Sequence, residues 1–305
     1  MSANPSIIAP PARLLLATDL SSRCDRALDR AAQIAGEWQA ELIALNVLDV
    51  AASPDQALAW ATGADADCVL KIARQQLARD LSGLDIRATM QMARGGDAAA
   101  TIREAAASTD CGLVITGVAR NEFFGRCLLG STVERLARSL PQPLLVVRNR
   151  VRGPYRRIVV ATDFSVSSRH TLLATARLFP GRELILYHAC EIPLDGVSDR
   201  PSKTRLNCDI EQGECAEFLA TSELPADTRI RSVIEQGALE TTLTQYVRNH
   251  EIDLVAMGTH GRSGVMNILL GSTAAKLLDW LPCDSLVVRE PRAARLGHVP
   301  AAVRH

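Results

Sequence analysis

The sequence predicts an α/β protein made of two tandem, doubly wound, five-stranded parallel-sheet domains, and three observations carry that prediction. The chain has 305 residues, about twice the commonest domain length. Its motifs recur in the same order at a nearly constant distance. Within each repeat, short apolar runs alternate with stretches of helical pattern, the signature of strand–helix–strand crossovers.

The repeat is read directly. Arg13-Leu14-Leu15-Leu16-Ala17-Thr18-Asp19-Leu20-Ser21 returns as Arg157-Ile158-Val159-Val160-Ala161-Thr162-Asp163-Phe164-Ser165, an offset of 144 between Asp19 and Asp163. Leu128-Leu129-Gly130-Ser131-Thr132 returns as Leu269-Leu270-Gly271-Ser272-Thr273, an offset of 141. Leu145-Val146-Val147-Arg148 returns as Leu286-Val287-Val288-Arg289, again at 141. Residues 1–150 and 151–305 are therefore expected to be separate domains, joined at Asn149 to Tyr155, where Gly153-Pro154 can turn but not continue a strand.

In the first unit, strands are expected near Leu14–Ala17, Leu42–Leu48, Ile86–Met92, Leu113–Thr116 and Leu144–Val147. Helices are expected near Arg23–Glu37, Asp55–Leu81, Ala98–Ser108 and Thr132–Ser139. The second unit matches, with strands at Ile158–Thr162, Leu184–Ala189, Arg229–Ile234, Leu254–Met257 and Ser285–Val288. Its helices fall at Ser168–Phe179, about Leu206–Thr221, Leu239–His250 and Ser272–Trp280. Most strands lack polar alternation, as strands buried on both faces do. Right-handed crossovers then place helices on both sides of the sheet. In such sheets ligands bind beyond the carboxyl ends of the strands, where strand order reverses.

Composition narrows the function classes. With 34 Lys+Arg against 34 Asp+Glu, the chain lacks the basic excess of a general nucleic-acid binder. Hydrophobic residues at 47% exclude wholesale disorder. No apolar run is long enough for a membrane span, and the first dozen residues lack the basic region of a signal peptide. Eight cysteines without a C-x-x-C pair are expected to be reduced thiols, mostly in the core. The expected location is the cytoplasm, without membrane or nucleic-acid partners.

Two loops of the second unit carry candidate chemistry. After its fourth strand comes Gly258-Thr259-His260-Gly261-Arg262-Ser263-Gly264, followed by Gly271-Ser272-Thr273, in the spacing G-x2-G-x9-G-[ST]. Gly258 lets a ligand approach the backbone, and Gly261 and Gly264 permit a nest of inward N–H groups. Gly271 leads into the last helix, where a Ser272 or Thr273 hydroxyl can cap and the free N–H groups face an anion. Arg262 can neutralise phosphate charge or simply face solvent. These pieces describe a polyphosphate cradle. Gly-Lys never occurs, and no G-x-G-x-x-G follows a strand, so P-loop and dinucleotide-fold readings lose their motif. The second loop holds Asp163, directly after strand one, which either N-caps the next helix or serves as a pocket carboxylate for a base, a sugar or a metal-bound water. Ala189, ending strand two, offers an apolar wall and backbone groups to a flat ring.

These residues are similar to the universal stress protein family. Ala161-Thr162-Asp163-Phe164-Ser165 resembles the opening of a family domain. Gly258-x-x-Gly261-x9-Gly271-Ser272 and the closing Leu281-Pro282-Cys283 with Leu286-Val287-Val288-Arg289 resemble its end. The resemblance spans nearly the whole chain as a tandem pair. It implies strand order 3-2-1-4-5, an adenine nucleotide alpha-hydrolase-like fold and, in one branch, ATP binding with Mg2+ carried on the phosphates. It assigns adenosine contacts to Asp163 and Ala189, and ribose and phosphate contacts to Gly258, Gly261, Arg262, Gly271, Ser272 and Thr273. At Ala189 the family more often has valine. In the first unit the spacing survives, but Arg120 replaces the second glycine and Phe123 stands opposite Gly264. A bulky residue at positive φ costs about 1–2 kcal/mol, so that loop is expected to take another shape and its site to be degenerate.

The expected function is a nucleotide-binding stress-response regulator without efficient catalysis. Slow ATP hydrolysis or autophosphorylation at Ser272 or Thr273 is the enzymatic alternative, and a ligand-free interaction scaffold is the third. His260 is expected to be an exposed loop residue, Cys127 and Cys283 to be unreactive, and no metal site is expected in the chain itself. The closing strands Leu144–Val147 and Leu286–Val288 are expected to pair as an intramolecular pseudo-dimer, because sheet edges must be covered. Homodimerisation of two chains is left open.

Overall fold

The computed structural model describes residues 9–22, 24–48, 66–118, 121–123, 126–128, 130–190, 201–259 and 270–291. In the first half, β1 (Arg13–Thr18), α1 (Asp25–Trp38), β2 (Glu41–Leu48), α2 (Ala66–Leu81), β3 (Arg87–Arg94), α3 (Ala98–Ser108) and β4 (Leu113–Gly117) alternate strictly. A short hairpin, β5 (Asn121–Phe123) and β6 (Arg126–Leu128), precedes α4 (Ser131–Ser139) and β7 (Leu144–Val147). The second half repeats the plan with β8 (Ile158–Ala161), α5 (Val166–Leu178), β9 (Glu183–Cys190), α6 (Pro201–Ala220) and β10 (Arg229–Gln236). It closes with α7 (Leu239–Asn249), β11 (Leu254–Gly258), α8 (Ser272–Trp280) and β12 (Asp284–Val288). Of the expected helix Asp55–Leu81, the stretch 55–65, with Trp60, lies outside the described residues.

All ten long strands form one sheet in the order β10-β9-β8-β11-β12-β7-β4-β1-β2-β3. Each half is parallel and has the order 3-2-1-4-5. At the seam β12 and β7 run antiparallel, with Ser285 opposite Val146, Leu286 opposite Leu145 and Val287 opposite Leu144. The expected pairing of the closing strands is therefore present. The four residues of β7 and the five of β12, the polar Asp284 and Ser285 included, are all buried in mid-sheet. The outer strands β3 and β10 have one neighbour each and keep many exposed positions, so their sequences alternate more than those of the centre.

Helices cover both faces. On one face lie Ala27, Ala31 and Ile34 of α1, Leu172 and Ala176 of α5, and Phe218 of α6, in one apolar cluster with Leu16, Leu145 and Val160. The other face packs Ile102 of α3, Leu136 of α4, Leu243 of α7 and Leu277 of α8 against Val114, Val146 and Val255. Both clusters run across the seam, so the halves share their cores. Full burial of each such Leu, Ile, Val or Phe side chain contributes about 1.5–3 kcal/mol relative to exposure.

The connector is more than a turn. Asp284, fully buried at the start of β12, accepts hydrogen bonds from the Arg148 and Asn149 backbone N–H groups (2.8 and 2.9 Å) and from Tyr155 Oη (2.6 Å). Arg30 of α1, also buried, places Nε 3.4 Å from the same carboxylate and stacks its guanidinium 4.0 Å from the Tyr155 ring centroid. Its Nη1 donates to the Gly153 carbonyl at 2.9 Å. One residue from each half and one from the connector thus form a single buried lock.

Candidate functional site

The site is built from the ends of the central strands. β8 lies between β9 and β11, with Val160 opposite both Leu186 and Ala256 and Ala161 opposite Tyr187. Counting on from these pairs sets Asp163 level with Ala189 and one residue beyond Gly258. Strand order reverses between β8 and β11, which opens a crevice at this edge.

The turn after β8 is tightly determined. Thr162 Oγ1 accepts the Phe164 N–H at 2.9 Å, and Asp163 Oδ1 accepts the Ser165 N–H at 3.1 Å. Phe164 sits in the left-handed region at φ 60°, a conformation that costs a bulky residue about 1–2 kcal/mol and persists only where the surroundings impose it. The N-cap of α5 is Ser165, whose Oγ accepts the Ser168 N–H at 3.2 Å. The capping role considered for Asp163 thus belongs to Ser165, because Phe164 and Ser165 lie between Asp163 and the first residue of α5.

Sequence reading missed a buttress behind this turn. His188 Nδ1 lies 2.8 Å from the Thr162 carbonyl oxygen, which can only accept, so Nδ1 carries the proton. The His188 ring packs on Phe164 with centroids 4.5 Å apart, and its Nε2 lies 3.2 Å from Glu211 Oε2 of α6. The signal was available: a polar residue one place before Ala189 in an otherwise apolar strand, matched by Asn46 in β2.

The opposite wall is the start of α8. Thr259, directly after β11, donates its N–H to Val288 O (3.2 Å) and accepts the Gly271 N–H on its carbonyl (3.0 Å). These bonds stitch the helix start to the end of β11 and bring Gly271, Ser272 and Thr273 to the same edge as Gly258. Gly271 has an ordinary φ of −55° and caps α8 without a side-chain bond. The expected hydroxyl cap is corrected here, since Ser272 and Thr273 are already inside the helix. The glycine is required by close approach: a Cβ on it would stand 3.1 Å from Thr259 O. The helical ladder starts with the Ala275 N–H donating to Gly271 O, at 3.0 Å. The N–H groups of Ser272, Thr273 and Ala274 therefore precede it and lie at the positive end of the helix dipole. Ser272 and Thr273 are exposed. Gly261, Arg262, His260 and Gly264 lie outside the described residues.

The first half repeats the turn after its first strand. Leu20 is left-handed at φ 59°, its N–H is held by Thr18 Oγ1 at 3.0 Å, and Asn46 donates to Thr18 O at 2.9 Å. Asp19 Oδ1, however, gathers three donors: the Ser21 N–H (3.0 Å), the Ser21 hydroxyl (2.6 Å) and the Cys24 thiol (3.1 Å). Burial, reinforced by the Asp19 carboxylate, pushes that thiol up to about 11. At the place of the second half's glycine run the first half forms the β5–β6 hairpin, while residues 260–269 of the second half lie outside the described residues. Arg120 lies outside the described residues. Cys283 is buried, and burial raises its thiol well above the ordinary range, which removes it from thiolate chemistry at neutral pH.

Comparison with known proteins places this geometry. The model of the universal stress protein family matches twice, at residues 12–148 and 154–289. A universal stress protein of Synechocystis is 27% identical over 158 residues, which cover 51% of this chain and 50% of that protein. The match thus spans about half that relative's length. One from Methanocaldococcus jannaschii is 26% identical over 144 residues, covering 45% of this chain and 84% of the relative. Among solved structures, a universal stress protein from Archaeoglobus fulgidus superposes with a TM-score of 0.59 at 20% identity, covering 91% of this chain and 98% of that one. A protein of unknown function from Pseudomonas aeruginosa superposes with a TM-score of 0.63 at 20% identity, covering 94% and 95%. Among the described residues, no helix is long and apolar enough to cross a membrane.

Proposed function

We propose, because this chain belongs to the universal stress protein family, that it is a stress-response regulator that binds an adenine nucleotide, ATP foremost, in its second half. The observation that carries this reading is the convergence of Asp163, Ala189, Gly258 and the unladdered amides at the start of α8 on the crevice between β8 and β11. The residues present suit an anion-ended ligand. A carboxylate stands at one wall for base or sugar, and the other is a helix N-terminus whose approach is kept open by a glycine that admits no Cβ without a shift.

In this reading Asp163 and Ala189 hold the adenosine end. Gly258, Gly271, Ser272 and Thr273 hold the phosphates together with Gly261 and Arg262, and Mg2+ enters bound to the phosphates. The output is occupancy rather than turnover: no lysine of a P-loop accompanies the cradle. The hairpin of the first half and the crowded Asp19 support a single site per chain. Equilibrium dialysis of the full chain against ATP tests this. About one ATP bound per chain is expected, while none, or two equal sites, contradicts it.

A further inference from the structure

Beside the connector lies a cleft of about 620 Å3, on the sheet edge where β8 and β12 begin. This is the edge opposite Asp163 and Gly258. Arg26 of α1, Arg150 and Arg152 of the connector, Arg156 directly after it, and Arg248 of α7 line it. Arg26 spends one N–H on the Arg148 carbonyl, at 2.6 Å, which leaves its charge unanswered. Among the described residues, the side chains of Arg150, Arg152, Arg156 and Arg248 are exposed and make no hydrogen bond or ion pair.

The acids nearby are already engaged. Glu251 pairs with Arg157 at 2.9 Å, and Asp253 Oδ2 accepts the backbone N–H groups of Arg156 and Arg157 at 2.8 and 2.9 Å. Asp284, beneath the floor, answers Arg30. The cleft therefore concentrates seven guanidinium groups against two carboxylates, in a chain whose formal net charge is zero. A connector that only had to turn would gain nothing from mutually repelling charges around one concavity. Guanidinium forks match phosphate oxygens two at a time, which an ammonium cannot do. The volume is that of a small-molecule site, for which about 300–1,000 Å3 is usual.

We propose that this cleft is a second ligand site, for a small molecule carrying two or more linked phosphate groups. Such a ligand would touch α1 of the first half, the connector and α7 of the second, and so clip the halves together. The proposal shares no residue with the crevice at the opposite edge and does not depend on the nucleotide reading.

Calorimetric titration with inorganic tripolyphosphate tests it on the full chain, on the triple variant Arg150→Ala, Arg152→Ala, Arg156→Ala, and on Asp163→Ala. All three arginines are exposed, so the triple variant is expected to fold, as circular dichroism would verify. One arginine-dependent tripolyphosphate per chain is expected, separate from any held at the start of α8, bound at least about tenfold more weakly by the triple variant and equally well by Asp163→Ala. ATP titrated into Asp163→Ala, with and without the triple change, identifies the source of the phosphates. Arginine-dependent heat supports a nucleotide, and tripolyphosphate binding without ATP heat supports a non-nucleotide phosphate compound. Absence of tripolyphosphate binding, binding undiminished in the triple variant, or binding abolished by Asp163→Ala overturns the proposal.

Discussion

At the scale of single residues, what the two halves keep is as informative as what they change. Both hold a non-glycine residue at positive φ directly after the aspartate, Leu20 and Phe164, and both hold its N–H with a threonine hydroxyl. A strained turn retained twice, at the mouth of the same strand, marks the position as one the fold works to present. Gly271 is the counterpart on the facing wall. Gly271→Ala brings a Cβ to 3.1 Å from the Thr259 carbonyl, a backbone atom that cannot swing aside. The expected result is a loss of about 1 kcal/mol in stability, read by denaturant unfolding, with ATP binding weakened more than that loss explains. The role of Gly271 was legible in the sequence as a glycine opening the last helix, but its reason was not. The motif pointed to a hydroxyl cap at Ser272 or Thr273, and only the bond from Gly271 to Thr259 shows that close approach, not capping, selects the glycine.

At the scale of elements, the alternation of apolar runs and helical periods located every long strand within a few residues, because strands covered on both faces are largely apolar. Edges were harder. β3 and β10 have one neighbour each, so half their side chains answer to water and the pattern weakens. The β5–β6 hairpin was not legible, since replacing glycines says what a segment cannot do rather than what it forms. Helix starts depend on single side chains. Asp97 caps α3 by accepting the Ala100 N–H at 3.1 Å. That bond, with Arg135 beside it, holds the carboxyl below its usual range. A carboxyl lowered in the folded state contributes stability above its unfolded value and loses it as pH falls through the folded one. Asp97→Ala should therefore lower the melting temperature at neutral pH, and the gap to the unaltered chain should close as pH falls below about 4. A gap that stays constant with pH would remove the ionised carboxylate from the cap.

At the scale of the molecule, the seam turns two domains into one sheet with two continuous cores. The pairing of closing strands was legible because unpaired edges are a hazard in any sheet. The lock beneath it was not, because the connector read as a charged turn and nothing in its sequence pairs Tyr155 with Arg30 and Asp284 across more than a hundred residues. Asp284→Ala would leave the Arg30 guanidinium buried without its partner and two backbone N–H groups unanswered. A loss of about 3–5 kcal/mol is expected in equilibrium unfolding, and a loss under about 1 kcal/mol would show that the seam holds without the lock. The duplicated architecture, with the turn after the first strand kept in both halves and the glycines of the second loop replaced in the first, leads to the central proposal that the halves are functionally unequal. The most direct test is calorimetric titration of the full chain, Asp19→Ala and Asp163→Ala with ATP. The account predicts one crevice site, its heat independent of Arg150, Arg152 and Arg156, that survives Asp19→Ala and is lost in Asp163→Ala, whereas no such heat in the unaltered chain, or its loss in the Asp19 variant instead, would contradict it.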